Sequence, residues 1–179
     1  MRFAHGGEIQ SAALRLGVSP AQLLDASASL VPWTPRFSAQ VLTRRLRDYP
    51  DRHHHRLADL IGKVHGLSAS AVLPGNGAAE LFTWAARDAA AVGMSSLPVP
   101  GFADYSRALA CWDGAMEMHC LSLDWSSVFP QAFSSPGTAD VLWICNPHNP
   151  TGQLWSRSSL EPLLQQYRLV ICDEAFLSL

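Results

Sequence analysis

Five consecutive apolar residues, Val141-Leu142-Trp143-Ile144-Cys145, constrain the fold of this chain more than any other stretch. The run is strand-sized and lacks the polar alternation of a half-wet strand, so it reads as a central strand covered on both faces. Leu169-Val170-Ile171-Cys172 repeats the pattern. Apolar or β-branched runs at Ser70–Leu73, Ser96–Val99 and Ala115–Leu121 predict further strands. Helical periodicity covers Glu8–Leu16, Ser38–Arg47, His53–His65, Ala78–Val92, Ala103–Cys111 and Ser158–Gln166. From about Ser70 onward strands alternate with helices, which predicts an α/β fold: a mostly parallel sheet between two helical layers.

Before Ser70 the chain reads as an arm with helices, broken at Val31-Pro32-Trp33-Thr34-Pro35. The expected division is residues 1–50, an N-terminal arm with small-domain elements, and 51–179, an incomplete large domain. The chain stops shortly after the strand Leu169–Cys172, without a helix to begin the next crossover, and is expected to be truncated. At 179 residues and 48% hydrophobic it can bury one real core. A formal net charge of -2 offers no basic stripe, so no nucleic acid partner is expected. The longest apolar runs are far short of a bilayer span, and Met1–Gly7 holds no apolar signal segment. The cysteines, Cys111, Cys120, Cys145 and Cys172, form no Cys-x-x-Cys pair, and Cys145 and Cys172 fall in strands predicted to be buried. A cytoplasmic protein is expected. The run His53-His54-His55 invites a metal reading, but adjacent residues on a helix point roughly 100° apart. With no second ligand cluster, it reads as a solvated helix and no metal site is expected.

In an open parallel sheet, ligands bind beyond the carboxyl ends of the strands. Three polar signals fall there. The turn Pro74-Gly75-Asn76-Gly77 opens the helix at Ala78, and a helix N-terminus offers free N–H groups to a phosphate. Read alone, it is equally an ordinary strand-to-helix turn. The loop Asn146-Pro147-His148-Asn149-Pro150-Thr151-Gly152 follows the strongest strand, and its two asparagines are expected to present amide donors into the crevice. Asp173-Glu174 ends the last strand, where a carboxylate is costly unless it meets a cation or hydrogen-bond donors.

Together these motifs, with Pro100-Gly101-Phe102-Ala103-Asp104-Tyr105 and Asp173-Glu174-Ala175-Phe176, resemble the fold-type-I pyridoxal-phosphate enzymes, the aspartate-aminotransferase superfamily. Ala4-His5-Gly6-Gly7, Gly17-Val18-Ser19-Pro20-Ala21-Gln22-Leu23-Leu24-Asp25 and Tyr49-Pro50-Asp51 resemble its threonine-phosphate decarboxylase branch, with histidinol-phosphate aminotransferases as near relatives. The resemblance implies pyridoxal 5'-phosphate as cofactor and a small phosphorylated amino-acid or amino-alcohol substrate. It implies that Asp173 pairs with the pyridine nitrogen, Asn149 donates to the ring hydroxyl and Phe102 stacks on the ring. Gly77 and Ala78 would bind the cofactor phosphate through their backbone, and Tyr49 would reach that of a neighbouring subunit, hence a homodimer. His5, Gly6, Ser29 and Asn149 would line the substrate site.

Some positions depart from the pattern. Phe176 stands where aminotransferases carry a tyrosine, though a phenylalanine suits the decarboxylase branch. Ser29 and Val31 replace asparagines usual in that branch. The lysine that holds the cofactor covalently lies downstream of the Asp-Glu pair in the family, and Lys63 is this chain's only lysine. It falls on an amphipathic helix and reads as a surface residue. On this reading the chain alone is inactive, the N-terminal part of a decarboxylase or aminotransferase. A non-catalytic remnant is the alternative from a different class.

Overall fold

The computed structural model describes residues 6–28, 33, 36–123, 130–134 and 137–177, apart from the side chain of Arg45. The chain divides into two compact units, Met1–Pro74 and Gly75–Leu179.

In the first unit, α1 (Ile9–Leu16) stops where Gly17 turns left-handed at φ 66°, a conformation glycine adopts without a Cβ penalty. Ser19 and Gln22 form a capping box around the 3-10 turn Pro20–Gln22. Then come α2 (Ala39–Arg45) and α3 (His55–His65). α3 starts later than its periodicity predicts, because the Asp51 carboxylate takes the N–H groups of both His53 and His55. Those bonds, the one from His53 first, hold the Asp51 carboxyl below the usual carboxylate range. The three histidines are exposed, and no group of three or more His, Cys, Asp or Glu among the described residues could hold a metal ion. Lys63 is exposed in the last turn of α3, where a cation suits the helix dipole.

The strand expected at Ser70–Leu73 is not one. Ala69–Ala71 form a 3-10 turn in which the Ser70 N–H is taken by the Ser68 hydroxyl, and Val72 after it is extended. A strand is defined by its ladder, and none of the sheet's strands pairs with this segment.

The second unit carries the sheet. Its strands are β1 (Ser95–Val99), β2 (Met116–Cys120), β3 (Val141–Cys145) and β4 (Leu169–Asp173), all parallel, in the order β2-β1-β3-β4. β3 is buried along its whole length, as its unbroken apolar run requires. Alternation along it separates two cores. Val141 and Trp143 face α4 (Ala78–Val92) and α5 (Asp104–Ala110), packing with Phe82, Ala86, Tyr105 and Leu109. Leu142 and Ile144 face the opposite layer, with Phe133, Trp155, Leu163 and Tyr167. Each of the larger aliphatic and phenyl side chains among these contributes about 1.5–3 kcal/mol relative to exposure. The result is the expected three-layer arrangement. Cys172 departs from its reading: it is exposed while Cys145 is buried, because β4 has a strand neighbour on one side only.

The single helix predicted over Ser158–Gln166 is two short ones, α6 (Arg157–Leu160) and α7 (Leu163–Gln166). Pro162 divides them, since its nitrogen has no hydrogen to donate and its ring crowds the preceding turn. No helix among the described residues is long and apolar enough to cross a membrane.

Candidate functional site

The strand order places a switch point between β1 and β3, since the chain leaves β1 toward β2 on one side and returns to build β3 on the other. Pairing between β1 and β3 covers only Ser95↔Val141 and Ser96↔Leu142, and Pro98 has no N–H to extend it. Their ladder thus stops short of the carboxyl ends, where the loops carrying Phe102 and Asn149 begin and where such sheets bind ligands.

Asp173 closes β4 directly opposite Cys145 in register, and its carbonyl accepts the Asn146 N–H at 2.8 Å. Its carboxylate meets the donors that its position demands. The Tyr105 hydroxyl donates to Oδ2 at 2.6 Å and the Ala175 N–H to Oδ1 at 3.0 Å. Tyr105 is 2% exposed, and burial, with Asp173 beside it, pushes the phenol well above its usual range, so the hydroxyl acts as a donor throughout the physiological range. Tyr105 received no role from the sequence. The signal was there: it lies three residues past Phe102, on the helix that follows the end of β1.

The loop after β3 separates its two asparagines. Asn146 is buried and consumed, its Oδ1 accepting the Trp155 N–H at 2.8 Å and its Nδ2 donating to the Trp155 carbonyl at 3.3 Å. Only Asn149 keeps its amide without a hydrogen bond among the described residues, so the expected pair of donors reduces to one. Its own N–H points to the sulfur of Cys145, and the Cys145 thiol donates to the Pro147 carbonyl at 3.1 Å. Burial raises the affinity of that thiol for its proton.

On the loop's inner side, His148 is 3% exposed. Its Nδ1 lies 2.8 Å from the Thr151 hydroxyl, which donates to Gln153 Oε1 at 2.7 Å, while Gln153 Nε2 donates to the Ser122 carbonyl at 3.2 Å.

The glycine turn leads into α4 with Gly77 at φ 78° and ψ 168°, a backbone region open essentially to glycine alone. A Cβ there would meet nothing within 4 Å, so no neighbour crowds the turn at Gly77. The Glu80 carboxylate turns back onto the Asn76 N–H. One turn along, Phe82 touches Phe102 edge-on at 6.0 Å and Tyr105 at 5.1 Å, and Phe102 touches Tyr105 at 5.6 Å. Through these rings the N-terminal turn of α4, Phe102 and Asp173 form one contiguous set.

Five of the expected site residues, Gly77, Ala78, Phe102, Asn149 and Asp173, thus come from one unit and gather at the carboxyl ends of its strands. Gly6 and Tyr49 belong to the other unit. Tyr49 is fully exposed. Gly6 backs onto the Ser27 carbonyl, where a Cβ would collide, and the neighbouring Gly7 N–H donates to the Ser27 hydroxyl at 2.9 Å. His5, Ser29 and Val31 lie outside the described residues.

Residues 18–178 match the family model for aminotransferase class I and II. A threonine-phosphate decarboxylase of Salmonella typhimurium is 35% identical, over 97% of this chain and 50% of that protein. Histidinol-phosphate aminotransferase 2 of Carboxydothermus hydrogenoformans is 24% identical, again over 97% of this chain and 50% of that protein. The chain spans about half the length of these curated relatives. Among solved structures, L-threonine-O-3-phosphate decarboxylase from Porphyromonas gingivalis superposes with a TM-score of 0.59 at 25% identity, covering 78% of this chain and 42% of that one. A histidinol-phosphate aminotransferase from Sinorhizobium meliloti, solved in complex with pyridoxal-5'-phosphate, superposes with a TM-score of 0.60 at 18% identity, covering 77% and 39%.

Proposed function

The chain belongs to the class I and II aminotransferase family, and from that premise we propose that it is the front part of a pyridoxal-phosphate enzyme that decarboxylates L-threonine O-3-phosphate to aminopropanol phosphate in cobalamin biosynthesis. The observation that carries the reading is the Asp173 carboxylate, fixed at the end of β4 by donors on both oxygens. Its neighbourhood also fits the cofactor. The open backbone turn at Gly77 suits a phosphate, and the uncommitted Asn149 amide suits a ring hydroxyl.

Bound pyridoxal phosphate supplies an electron sink for a bond breaking at the substrate's α-carbon. The chain's own part is to hold and polarise that ring. Asp173 accepts a hydrogen bond from the pyridine nitrogen and keeps its proton in place. Tyr105 and Ala175 fix the direction of that carboxylate. Asn149 donates its amide proton to the ring hydroxyl, and Phe102 covers one face. Gly77 and Ala78 turn their N–H groups to the phosphate, where the dipole of the 15-residue α4 adds attraction. Tyr49 would contact the phosphate bound by a second copy, making the enzyme a homodimer. His5, Gly6 and Ser29 would meet the substrate's own phosphate. Lys63 stands exposed on α3, so the covalent lysine is assigned to residues outside this chain. A cytoplasmic setting belongs to the same reading.

The runner-up, amino transfer from histidinol phosphate, uses the same half-site. The decarboxylase relative, 35% identical over 97% of the chain, against histidinol-phosphate aminotransferases at 24% to 32% over 78% to 97%, favours the decarboxylase by a small margin. Two measurements test the proposal. Titrating the chain with pyridoxal phosphate should show saturable binding that D173N weakens by about tenfold, the scale of a charge-assisted hydrogen bond. The complete product of the gene, given L-threonine O-3-phosphate, should release carbon dioxide. Amino transfer instead of carbon dioxide would select the runner-up, and a complete gene product that binds no pyridoxal phosphate would sink both.

A further inference from the structure

The polar chain behind Asn149 has a direction that its end groups dictate. A backbone carbonyl only accepts, so the Gln153 group facing Ser122 O at 3.2 Å is its NH₂, and its oxygen therefore faces Thr151. A carboxamide oxygen also only accepts, so the single hydroxyl proton of Thr151 goes to Gln153, at 2.7 Å. Thr151 then has only lone pairs left for His148, 2.8 Å away. The ring must donate from Nδ1. Nε2 is left as a bare acceptor, buried and without a partner among the described residues. Protonating it would create a buried donor and a charge with no acceptor to meet them.

The relay spans the base of a closed turn. The His148 N–H bonds to the Gln153 carbonyl and the Gly152 N–H to the His148 carbonyl, both at 2.7 Å. Asn149, Pro150 and Thr151 therefore form the tip. His148 is the side chain next to Asn149, is buried against the Trp155 ring at 6.0 Å between centroids, and ties back to the tip through Thr151. Gln153, 1% exposed, anchors the far end. We propose that His148 is a positioning residue for Asn149, its one ring proton fixed on Nδ1 by the relay through Thr151 and Gln153 to the Ser122 carbonyl. It touches neither cofactor nor substrate and acts by holding the Asn149 amide at the angle a ring hydroxyl needs. The positioning part rests on the proposed function; the tautomer does not.

The test uses the full chain in two arms. With ¹⁵N-labelled histidine, two-bond nitrogen–proton correlations identify the tautomer of each imidazole. One resonance, absent from H148N, should carry its proton on Nδ1 at neutral pH. A His148 protonated on Nε2, or carrying both protons, overturns the assignment. The second arm measures pyridoxal phosphate affinity and the absorption maximum of the bound cofactor. H148N, whose amide can donate from the place of Nδ1, should bind within about twofold of the wild type. H148L, which removes the donor, and T151V, which keeps the ring but breaks the relay, should each lose about fivefold or more and shift the absorption maximum. T151V keeps the proposal testable should H148L fail to fold. Wild-type affinity and spectrum in T151V overturn the positioning role. A complete gene product that binds no pyridoxal phosphate overturns the functional reading instead, leaving the tautomer assignment to stand or fall by the first arm.

Discussion

At the scale of single residues, the site depends on which polar atoms are already spent. Asn146 and Asn149 are chemically identical and three positions apart, yet Asn146 is locked into both backbone groups of Trp155. Tyr105 is spent on Asp173, and that makes it useful. Replacing it with phenylalanine keeps its edge contacts with Phe82 and Phe102 and removes the hydroxyl's bonds, that to the carboxylate first and a smaller one to the Cys145 thiol. Y105F should therefore cost about 1.5 kcal/mol, the lower end for a hydrogen bond to a charged group, read from the urea midpoint. It should also weaken pyridoxal phosphate binding, because Asp173 loses the donor that orients it. Y105L should cost more, by about 3 kcal/mol in total, since it also opens the aromatic cluster. Equal midpoints for wild type and Y105F would mean that water replaces the phenol at no cost.

At the scale of elements, the informative piece is the turn that launches α4. Gly77 has φ 78° with open space where a Cβ would stand, so a side chain there meets no steric obstacle and its cost lies wholly in the backbone. G77A should lose about 1–3 kcal/mol of stability in thermal unfolding. It should also weaken pyridoxal phosphate binding more than a stability-matched change elsewhere on α4, because relaxing φ turns the first N–H groups away from the phosphate. If stability falls while binding per folded molecule is unchanged, the turn serves folding alone. A similar backbone cause explains α6 and α7: Pro162 breaks a pattern whose apolar spacing continues through it.

At the scale of the whole molecule, pH sensitivity comes from two imidazoles, His148 buried and His119 half-buried. Burial lowers the proton affinity of both His119 and His148; Glu117 opposes it at His119 with a smaller effect. His119 is bonded to Ser96 through Nδ1 at 2.9 Å, and its Nε2, like that of His148, has no described partner. With folded pKa values below the unfolded value of about 6.5, the unfolded chain binds more protons as acid is added. The stability these groups contribute is therefore complete above about pH 6.5 and is lost as pH falls below it. Urea midpoints should hold steady from pH 8 to 7 and decline toward pH 5, and H148N should flatten part of that decline. A profile without a step in this window would place both rings in contact with water.

The layers were legible in the amino-acid order alone. Unbroken apolar runs have no wet face, so β3 had to be central, and the helix-sized periods between strands had to cover the sheet on both sides. That order also placed Gly77, Phe102, Asn149 and Asp173 after strands or at a helix start, because polar and glycine-rich motifs at strand ends need no long-range information to be recognised. Which of these groups are spent and which are available depends on the three-dimensional packing. Hydrogen-bond partners such as Tyr105 and Asp173, 68 residues apart, are brought together by the packing of α4 and α5 on the sheet, which no local pattern encodes. The same holds for Ser70–Leu73, whose one β-branched residue, Val72, is extended but which is a strand only where another strand offers it a ladder.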